Sequence, residues 1–281
     1  MFSKLLKHDW KSNGALLGLL SACALGAGLL AGLVLRIIVD LAQKIQENDA
    51  NVAIGISGLS TLMMFLILAL VAYAFAVPFI NMLRFYKSRF TDEGYLTFTL
   101  PVTSRQIFLS SFLHMVIWQI LSALVLTAAG CAIVFIGISQ ENRDVIESIA
   151  QMIGFADDTL SGEPGYQLYR VMSILQTVVA PVYSIMLVMT SVTLGAVIAK
   201  KHKIWTAIGM YFGIQMAVGM VESVLATVPT IFLLMSGLRG DEDYIYYMAT
   251  SSGITMALQL GLIVGGFFLS THLMKHKLNL P

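Results

Sequence analysis

The chain has few charged residues: Asp, Glu, Lys and Arg make up 12% of it, against 57% that are hydrophobic. A soluble domain carries about 25% charged residues. The mean hydropathy of +0.81 points the same way. This shortage of charge excludes an ordinary soluble domain and predicts a polytopic membrane protein.

Cysteine is also scarce. The two cysteines, Cys23 and Cys131, lie inside apolar stretches, so no disulfide framework is expected and both are predicted to be small buried residues. The sequence LSAC that ends at Cys23 resembles the cleavage box of a bacterial lipoprotein. However, the apolar run continues through Leu35 without a polar tether, and we therefore expect the first helix to be retained.

Sequence motifs for chemistry are missing as well. The chain contains no GxxxxGK(S/T) phosphate loop, no HExxH and no GxSxG. His272 and His276 have the spacing of a helical metal pair, but they flank Lys275 with no third ligand nearby, so a solvated tail is expected. We predict no catalytic, cofactor or metal site, and no enzyme activity, in this chain. The net charge of +1 gives no indication of nucleic-acid binding.

The sequence does have long apolar runs. A transmembrane helix needs about 20 mostly apolar residues. Six runs meet that length: Gly14–Leu35, Val52–Leu83, Ile107–Ile138, Val171–Ala199, Ile204–Gly237 and Met248–Met274. They are continuously apolar, whereas the strands of a membrane barrel alternate. The predicted fold is an all-α polytopic membrane protein with six transmembrane helices in one domain, residues 1–281.

The charged residues between these runs divide by sign. The segments on the side of the N-terminus hold twelve of the 17 basic residues: Lys4, Lys7, Lys11, Arg84, Lys87, Arg89, Arg105, Lys200, Lys201, Lys203, Lys275 and Lys277. Only Asp9, Asp92 and Glu93 are acidic there, while the opposite side carries twelve acidic residues. Because basic loops stay inside, we expect a multi-pass membrane protein with both termini cytoplasmic.

Residues 1–12 have an amphipathic pattern. Phe2, Leu5, Leu6 and Trp10 recur at helical spacing with lysines between them. The pattern predicts a short interfacial helix whose apolar side meets the lipid chains and whose lysines meet anionic headgroups. The alternative is a basic flank of the first span without a helix of its own.

Glycines and prolines recur within the spans. Small residues four positions apart let helix backbones approach closely, and prolines kink helices. Four glycine pairs have this spacing: Gly14 and Gly18, Gly28 and Gly32, Gly209 and Gly213, and Gly261 and Gly265. The prolines within spans are Pro78, Pro181 and Pro229. These residues predict close helix packing and bends, but they identify no site.

Glu222 is the one acidic residue deep within a span. An ionised carboxylate at the bilayer centre is costly, so an intramembrane acid is by default a functional hypothesis. Glu222 is predicted to line a substrate path or to bind a proton. The alternative is a neutral side chain that is hydrogen-bonded to Gln215, to a nearby hydroxyl or to a second copy of the chain.

The segment Arg84–Arg105 is the long polar interruption on the basic side. The second span is expected to continue as a helix into the headgroup layer, where Arg84, Lys87 and Arg89 extend toward water. Short polar residues and a glycine at 91–94 then predict a break.

A short apolar segment, residues 95–100, follows the break and ends at Pro101. Thr103 or Ser104 is expected to cap the helix of the third span. The apolar segment predicts a short cytoplasmic helix, and an exposed apolar surface needs a partner. The alternative is that it packs under its own bundle.

Residues Asp92 to Ile107, DEGYLTFTLPVTSRQI, resemble the loop between the second and third spans of ABC-2 type transporter permeases. In that family tyrosine and leucine, then threonine, leucine, proline and a hydroxyl residue precede the third span. The six-span layout, the cytoplasmic termini and the amphipathic start are similar across essentially the whole chain. The resemblance implies a second permease copy or homologue and a separate cytoplasmic P-loop ATPase, which binds ATP and Mg and docks on this coupling loop, residues 84–105.

The resemblance also implies roles for individual residues. The residues expected to couple the two subunits are Asp92, Glu93, Tyr95, Leu96, Phe98, Leu100 and Pro101. The four apolar side chains fill a groove on the ATPase, the two acids choose its orientation and the proline fixes the exit of the loop. Family members often have re-entrant helices between spans five and six, which Leu225–Tyr247 would supply. The acidic extracellular loop Ser139–Arg170 departs from the family and is expected to cover the outer mouth or to act as a structural cap.

The predicted function is therefore that of a permease subunit of an ABC exporter. Sixteen methionines and an apolar interior suit a hydrophobic or amphipathic cargo such as a peptide, lipid or drug. Two alternatives from other classes remain: a secondary transporter or ion channel that uses Glu222, and a membrane enzyme or structural immunity factor, for which a catalytic set is missing.

Overall fold

The computed structural model describes residues 2–43, 50–91, 94, 103–137, 164–199, 202–236 and 241–276. They form six long helices: α1 Phe2–Gln43, α2 Ala50–Phe90, α3 Ser104–Gly137, α4 Pro164–Ile198, α5 Lys203–Ser236 and α6 Asp241–His276. Each contains a stretch long and apolar enough to cross a membrane, by length and composition. No strand occurs in these ranges. The predicted all-α membrane protein with six spans is confirmed.

Three helices begin well before the spans that the sequence predicts, and one of them is α6, which begins at Asp241 instead of Met248. α4 begins at Pro164 instead of Val171, since a proline in the first turn costs the helix no hydrogen bond. α1 begins at Phe2 and is continuous to Gln43, so the predicted interfacial helix, residues 1–12, is not a separate element in its described part. No proline lies between these residues and the first span to stop the helical hydrogen bonding.

The re-entrant helices implied for Leu225–Tyr247 do not occur among the described residues of that stretch. α5 runs through Pro229 to Ser236, and α6 begins at Asp241. These residues therefore form the ends of two long helices.

Parts of two predicted elements lie outside the described residues. They are the coupling helix, residues 95–100, and residues 139–163 of the acidic loop. Both elements stay predictions.

Contacts divide the chain into two compact units. The first comprises Met1–Asp9, Ile80–Val116 and Asp158–Pro281, and the second comprises Trp10–Phe79 and Ile117–Asp157. The boundaries fall inside α1, α2 and α3, so each of these helices contributes residues to both units.

The core of the first unit contains aromatic and methionine side chains. Phe108 is fully buried, and its ring lies edge-on to the rings of Phe85 and Phe267, at centroid distances of 6.2 and 5.7 Å. Met186 and Met189 of α4 belong to the same cluster. The cluster also includes Ala207 and so joins α2, α3, α4, α5 and α6. It lies toward their basic ends, by which we mean the helix ends that carry or adjoin most of the lysines and arginines.

Within the first unit, α4 packs chiefly against α6. The amide of Gln176 donates to the side-chain oxygen of Gln259 at 3.0 Å, and the hydroxyls of Thr193 and Ser270 lie 3.2 Å apart. A Cβ added at Gly266 would lie 2.8 Å from the Thr190 hydroxyl. Polar contacts and a small residue therefore hold these two helices close together.

In the second unit, glycine brings α1 and α3 together. A Cβ added at Gly28 would lie 2.5 Å from the Cβ of Ala129, and one at Gly32 would lie 2.7 Å from the carbonyl oxygen of Ala132. The predicted close approach is confirmed for this pair. No described atom comes within 4 Å of a Cβ added at Gly18, Gly209, Gly213, Gly261 or Gly265. Spacing alone therefore does not identify which glycines meet a neighbouring helix.

Much of the apolar surface faces outward. Phe75, Phe135 and Trp205 are 73%, 71% and 74% exposed, which requires lipid or a second chain to cover them. Cys23 and Cys131 are free and also exposed, so the prediction that they are buried is wrong. Both occupy outer faces of their helices, which the apolar composition of a span does not distinguish from inner ones.

Candidate functional site

The end of α2 carries a buried ion pair within the first unit. Nη2 of Arg89 lies 3.0 Å from Oδ2 of Asp9, and the two side chains are 3% and 15% exposed. The same Nη2 donates to the hydroxyl of Ser111 at 3.0 Å. One guanidinium group thereby joins α1, α2 and α3, and its rigid fork suits such a shared contact.

The expectation that Arg89 extends toward water is wrong. Arg89 lies one helical turn after Phe85, and the two side chains share the face of α2 that is buried. Lys87, which lies on another face, is exposed as expected. Whether a basic residue at this end of α2 meets solvent therefore depends on the helix face that carries it and not on its distance from the span.

A small cavity adjoins the ion pair. Its volume is about 20 Å³, and its lining includes Asp9, Asn81, Arg84, Ser111 and His114. Oδ1 of Asn81 is buried and has no hydrogen-bond partner among the described residues. A polar cavity of this size accommodates one water molecule, which would satisfy the amide.

The chain leaves α2 through a tight turn directly after the ion pair. The Gly94 N–H donates to the carbonyl oxygen of Thr91 at 2.7 Å. A Cβ added at Gly94 would lie 2.5 Å from the carbonyl oxygen of Arg89, so a side chain there requires the backbone to shift. The predicted break is confirmed at Thr91, where the backbone bends after the end of α2, whereas Gly94 is already helical.

The chain enters α3 through a reciprocal cap. The Gln106 N–H donates to the Thr103 hydroxyl at 3.4 Å, and the Thr103 N–H donates to the side-chain oxygen of Gln106 at 3.3 Å. This is the pairing of a capping box, with both bonds long. Thr103, one of the two predicted caps, is therefore the N-cap residue of α3, which begins at Ser104.

The predicted coupling residues lie between these two points. They are Asp92, Glu93, Tyr95, Leu96, Phe98, Leu100 and Pro101, and all lie outside the described residues. Their segment is thus attached at one end to the turn that follows Arg89 and at the other to the cap of α3.

Glu222 lies at a partly buried position of α5. Its Oε1 is buried without a hydrogen-bond partner among the described residues, and the same holds for the hydroxyl of Tyr183 on α4. The two groups interact electrostatically. Tyr183 is thus a neighbour of the carboxylate that the sequence did not indicate.

An apolar cavity of about 340 Å³ adjoins Tyr183 in the first unit. Side chains of α4 and α5, including Leu187 and Ile214, and the glycines of α6 line it. Ile214, Val218 and Glu222 are four residues apart and share one face of α5. Ile214 lines the cavity and Val218 packs beside Tyr183, so the carboxylate lies farther along the face that meets the cavity.

A larger open cavity lies at the basic ends of α3 and α6. We call it the vestibule; its volume is about 1110 Å³. Its lining residues are Thr103, Ser104, Arg105, Phe268, Leu269, Thr271, His272 and Lys275. Leu269 also lines the apolar cavity. The vestibule and the apolar cavity are therefore neighbours that share one side chain.

The contact among Asp9, Arg89 and Ser111 was not predicted from the sequence. A partial signal was present, because Asp9 is the one acid among the basic residues that precede the first span. Its partner lies 80 positions away, and no periodicity relates positions so distant.

The function must therefore be argued from the loop, the ion pair and the two cavities themselves. Comparison with models of protein families, with curated proteins and with solved structures finds no match for this chain.

Proposed function

We propose that the chain is the transmembrane subunit of an ABC exporter, with both termini and the basic ends of its helices in the cytoplasm of a bacterial cell. A separate P-loop ATPase binds ATP and Mg, and a second permease copy or homologue completes the membrane part. The ion pair between Arg89 and Asp9 carries the proposal. It anchors α1, α2 and α3 directly beside the segment that resembles a coupling loop.

The ion pair makes this end of the bundle suitable for transmitting a displacement. A loop attached to a solvated helix end would bend that end alone. Here Arg89 bonds to Asp9 and Ser111, and Phe90 is buried in the core. Movement of residues 92–102 by the ATPase is therefore passed to three helices, provided that the ATPase makes different contacts in its two states.

The two cavities and Glu222 are the path that we propose for the cargo. The vestibule opens at the basic ends of the helices, and the apolar cavity extends from Leu269 to Tyr183. A hydrophobic or amphipathic molecule fits such a lining. The exposed apolar side chains on the outer helix faces leave surface for the second permease subunit.

Substitutions in the coupling segment test the proposal. We expect Leu96→Asp and Phe98→Asp each to reduce capture of the partner ATPase at least about tenfold, because a charge would enter an apolar groove. Capture by the tagged permease and stimulation of ATP hydrolysis are the two measurements.

Thr97→Asp is the matched control, since it adds the same charge between the two apolar positions. It is expected to retain most of the capture. Undiminished capture and stimulation with Leu96→Asp and Phe98→Asp would rule out docking through these side chains.

A secondary transporter or ion channel is the second candidate. The buried Oε1 of Glu222, which has no hydrogen-bond partner among the described residues, favours it, because carboxylates in membrane spans carry protons or ions in many transporters. This mechanism needs no ATPase.

Proton flux separates the two candidates. Vesicles that contain only this chain and an imposed pH gradient should hold the gradient if the chain is a permease subunit. A leak abolished by Glu222→Gln but not by Ser223→Ala, at the exposed neighbouring position, would establish the second candidate instead.

A further inference from the structure

The vestibule has the chemistry of an anion-binding surface. Arg105, His272 and Lys275 line it, together with the hydroxyl residues Thr103, Ser104 and Thr271. No acidic residue is among its lining residues in the described part of the chain. Arginine and lysine bind phosphate and carboxylate groups through charge-assisted hydrogen bonds.

The adjoining cavity has the opposite character. Leucine and isoleucine side chains dominate its lining, and two of its wall positions are Gly261 and Gly265 of α6. Added Cβ atoms at these glycines would meet nothing within 4 Å among the described residues. The glycines therefore leave open space in the wall and are not needed for a contact between helices.

We propose that the vestibule and the cavity form one binding site for an anionic amphiphile, with the acidic headgroup in the vestibule and one hydrocarbon chain in the cavity. Leu269 lines both spaces, so the headgroup and the hydrocarbon chain of one molecule would lie on either side of this residue. The volume of the cavity, about 340 Å³, is near the lower limit of about 300 Å³ for ligand pockets. This volume suits one hydrocarbon chain and not a folded peptide.

The headgroup provides most of the selectivity. The hydrocarbon chain in the cavity contributes equally to the binding of two lipids that have the same chains, so it does not distinguish between them. The basic residues distinguish an acidic headgroup from a zwitterionic one through charge. The role of this amphiphile as cargo rests on the proposed function, whereas its binding does not require an ATPase.

Native mass spectrometry of the purified chain in a neutral detergent tests the binding. The probes are dioleoyl phosphatidylglycerol and dioleoyl phosphatidylcholine, which have the same chains. We expect one bound phosphatidylglycerol, with an affinity at least about tenfold higher than that of phosphatidylcholine, as expected for charge-assisted contacts. Equal retention of the two lipids would overturn the proposal.

Two pairs of variants assign the binding to the two spaces. Gly265→Leu fills the cavity and should reduce binding at least about tenfold, whereas Gly253→Leu in the same helix also projects into open space but does not line the cavity and should not. Arg105→Gln with Lys275→Gln should remove the preference for phosphatidylglycerol. Lys203→Gln, a basic position outside the vestibule lining, should retain it.

Inorganic phosphate distinguishes an amphiphile site from a simple anion site. Phosphate at a concentration equal to that of the lipid should leave the bound phosphatidylglycerol in place. Displacement by phosphate, or unchanged lipid binding in Gly265→Leu, would overturn the proposal. Lipid binding by a chain whose coupling segment captures no ATPase would contradict only the proposed permease function.

Discussion

Removing the carboxylate of Asp9 is expected to lower the free energy of unfolding by about 3–5 kcal/mol, the range observed when one partner of a buried ion pair is deleted. In Asp9→Ala the guanidinium of Arg89, 3% exposed, would remain charged and buried, with the Ser111 hydroxyl as its remaining hydrogen-bond partner among the described residues. A hydroxyl accepts a hydrogen bond but does not neutralise the charge. Unfolding of the detergent-purified chain, followed by circular dichroism during an SDS titration, measures the loss.

The double variant Asp9→Ala with Arg89→Met provides the sharper comparison. Replacing both charges with apolar groups is often close to neutral, so the double variant should be more stable than Asp9→Ala alone. Lys87→Met is the matched control, because this exposed residue of the same helix should change stability by less than about 0.5 kcal/mol. Additive losses in the double variant would show that the two side chains do not interact.

Gly28→Ala is the second substitution with a large expected effect. The new methyl group would lie 2.5 Å from the Cβ and 2.7 Å from the Cα of Ala129. The Cα belongs to the backbone of α3 and cannot rotate away, so α1 and α3 must separate. We expect a loss of about 1–3 kcal/mol in the free energy of unfolding, which is typical of overpacking.

Gly18→Ala is the control for this substitution. It adds the same methyl group to the same helix, but no described atom lies within 4 Å of it. Because alanine is about 1 kcal/mol better than glycine inside a helix, Gly18→Ala should be neutral or stabilising in the same SDS titration. Equal stability of the two variants would contradict the close packing of α1 against α3 at Gly28.

The spans could be predicted from the sequence to within a few residues at most of their ends. An apolar run of sufficient length forms a helix in lipid because its backbone hydrogen bonds have no other partners there. The end of α2 and the start of α3 could also be predicted from the sequence, because Gly94 and Thr103 form hydrogen bonds with residues three positions away. The start of α1 was predicted less well, because an amphipathic segment and the span after it can form one helix when nothing interrupts them.

The candidate site was less accessible to prediction. Glu222 was recognisable as an acid within a span, but its electrostatic interaction with Tyr183 was not. Arg89 was predicted to extend toward water, yet it pairs with Asp9. In both cases the partner lies on another helix, and sequence spacing reports only which residues share a face of one helix.

The amino-acid sequence by itself determined the number of spans, the separation of charge between their two ends and the break between α2 and α3. These properties depend on local composition and on hydrogen bonds between near neighbours. Only the tertiary structure decided that Arg89 is buried against Asp9, that Gly28 packs against Ala129 while Gly265 lines a cavity, and that Leu269 lines both that cavity and the vestibule. Each of these outcomes depends on how helices distant in sequence are positioned and rotated, which the apolar surface common to all six spans does not specify.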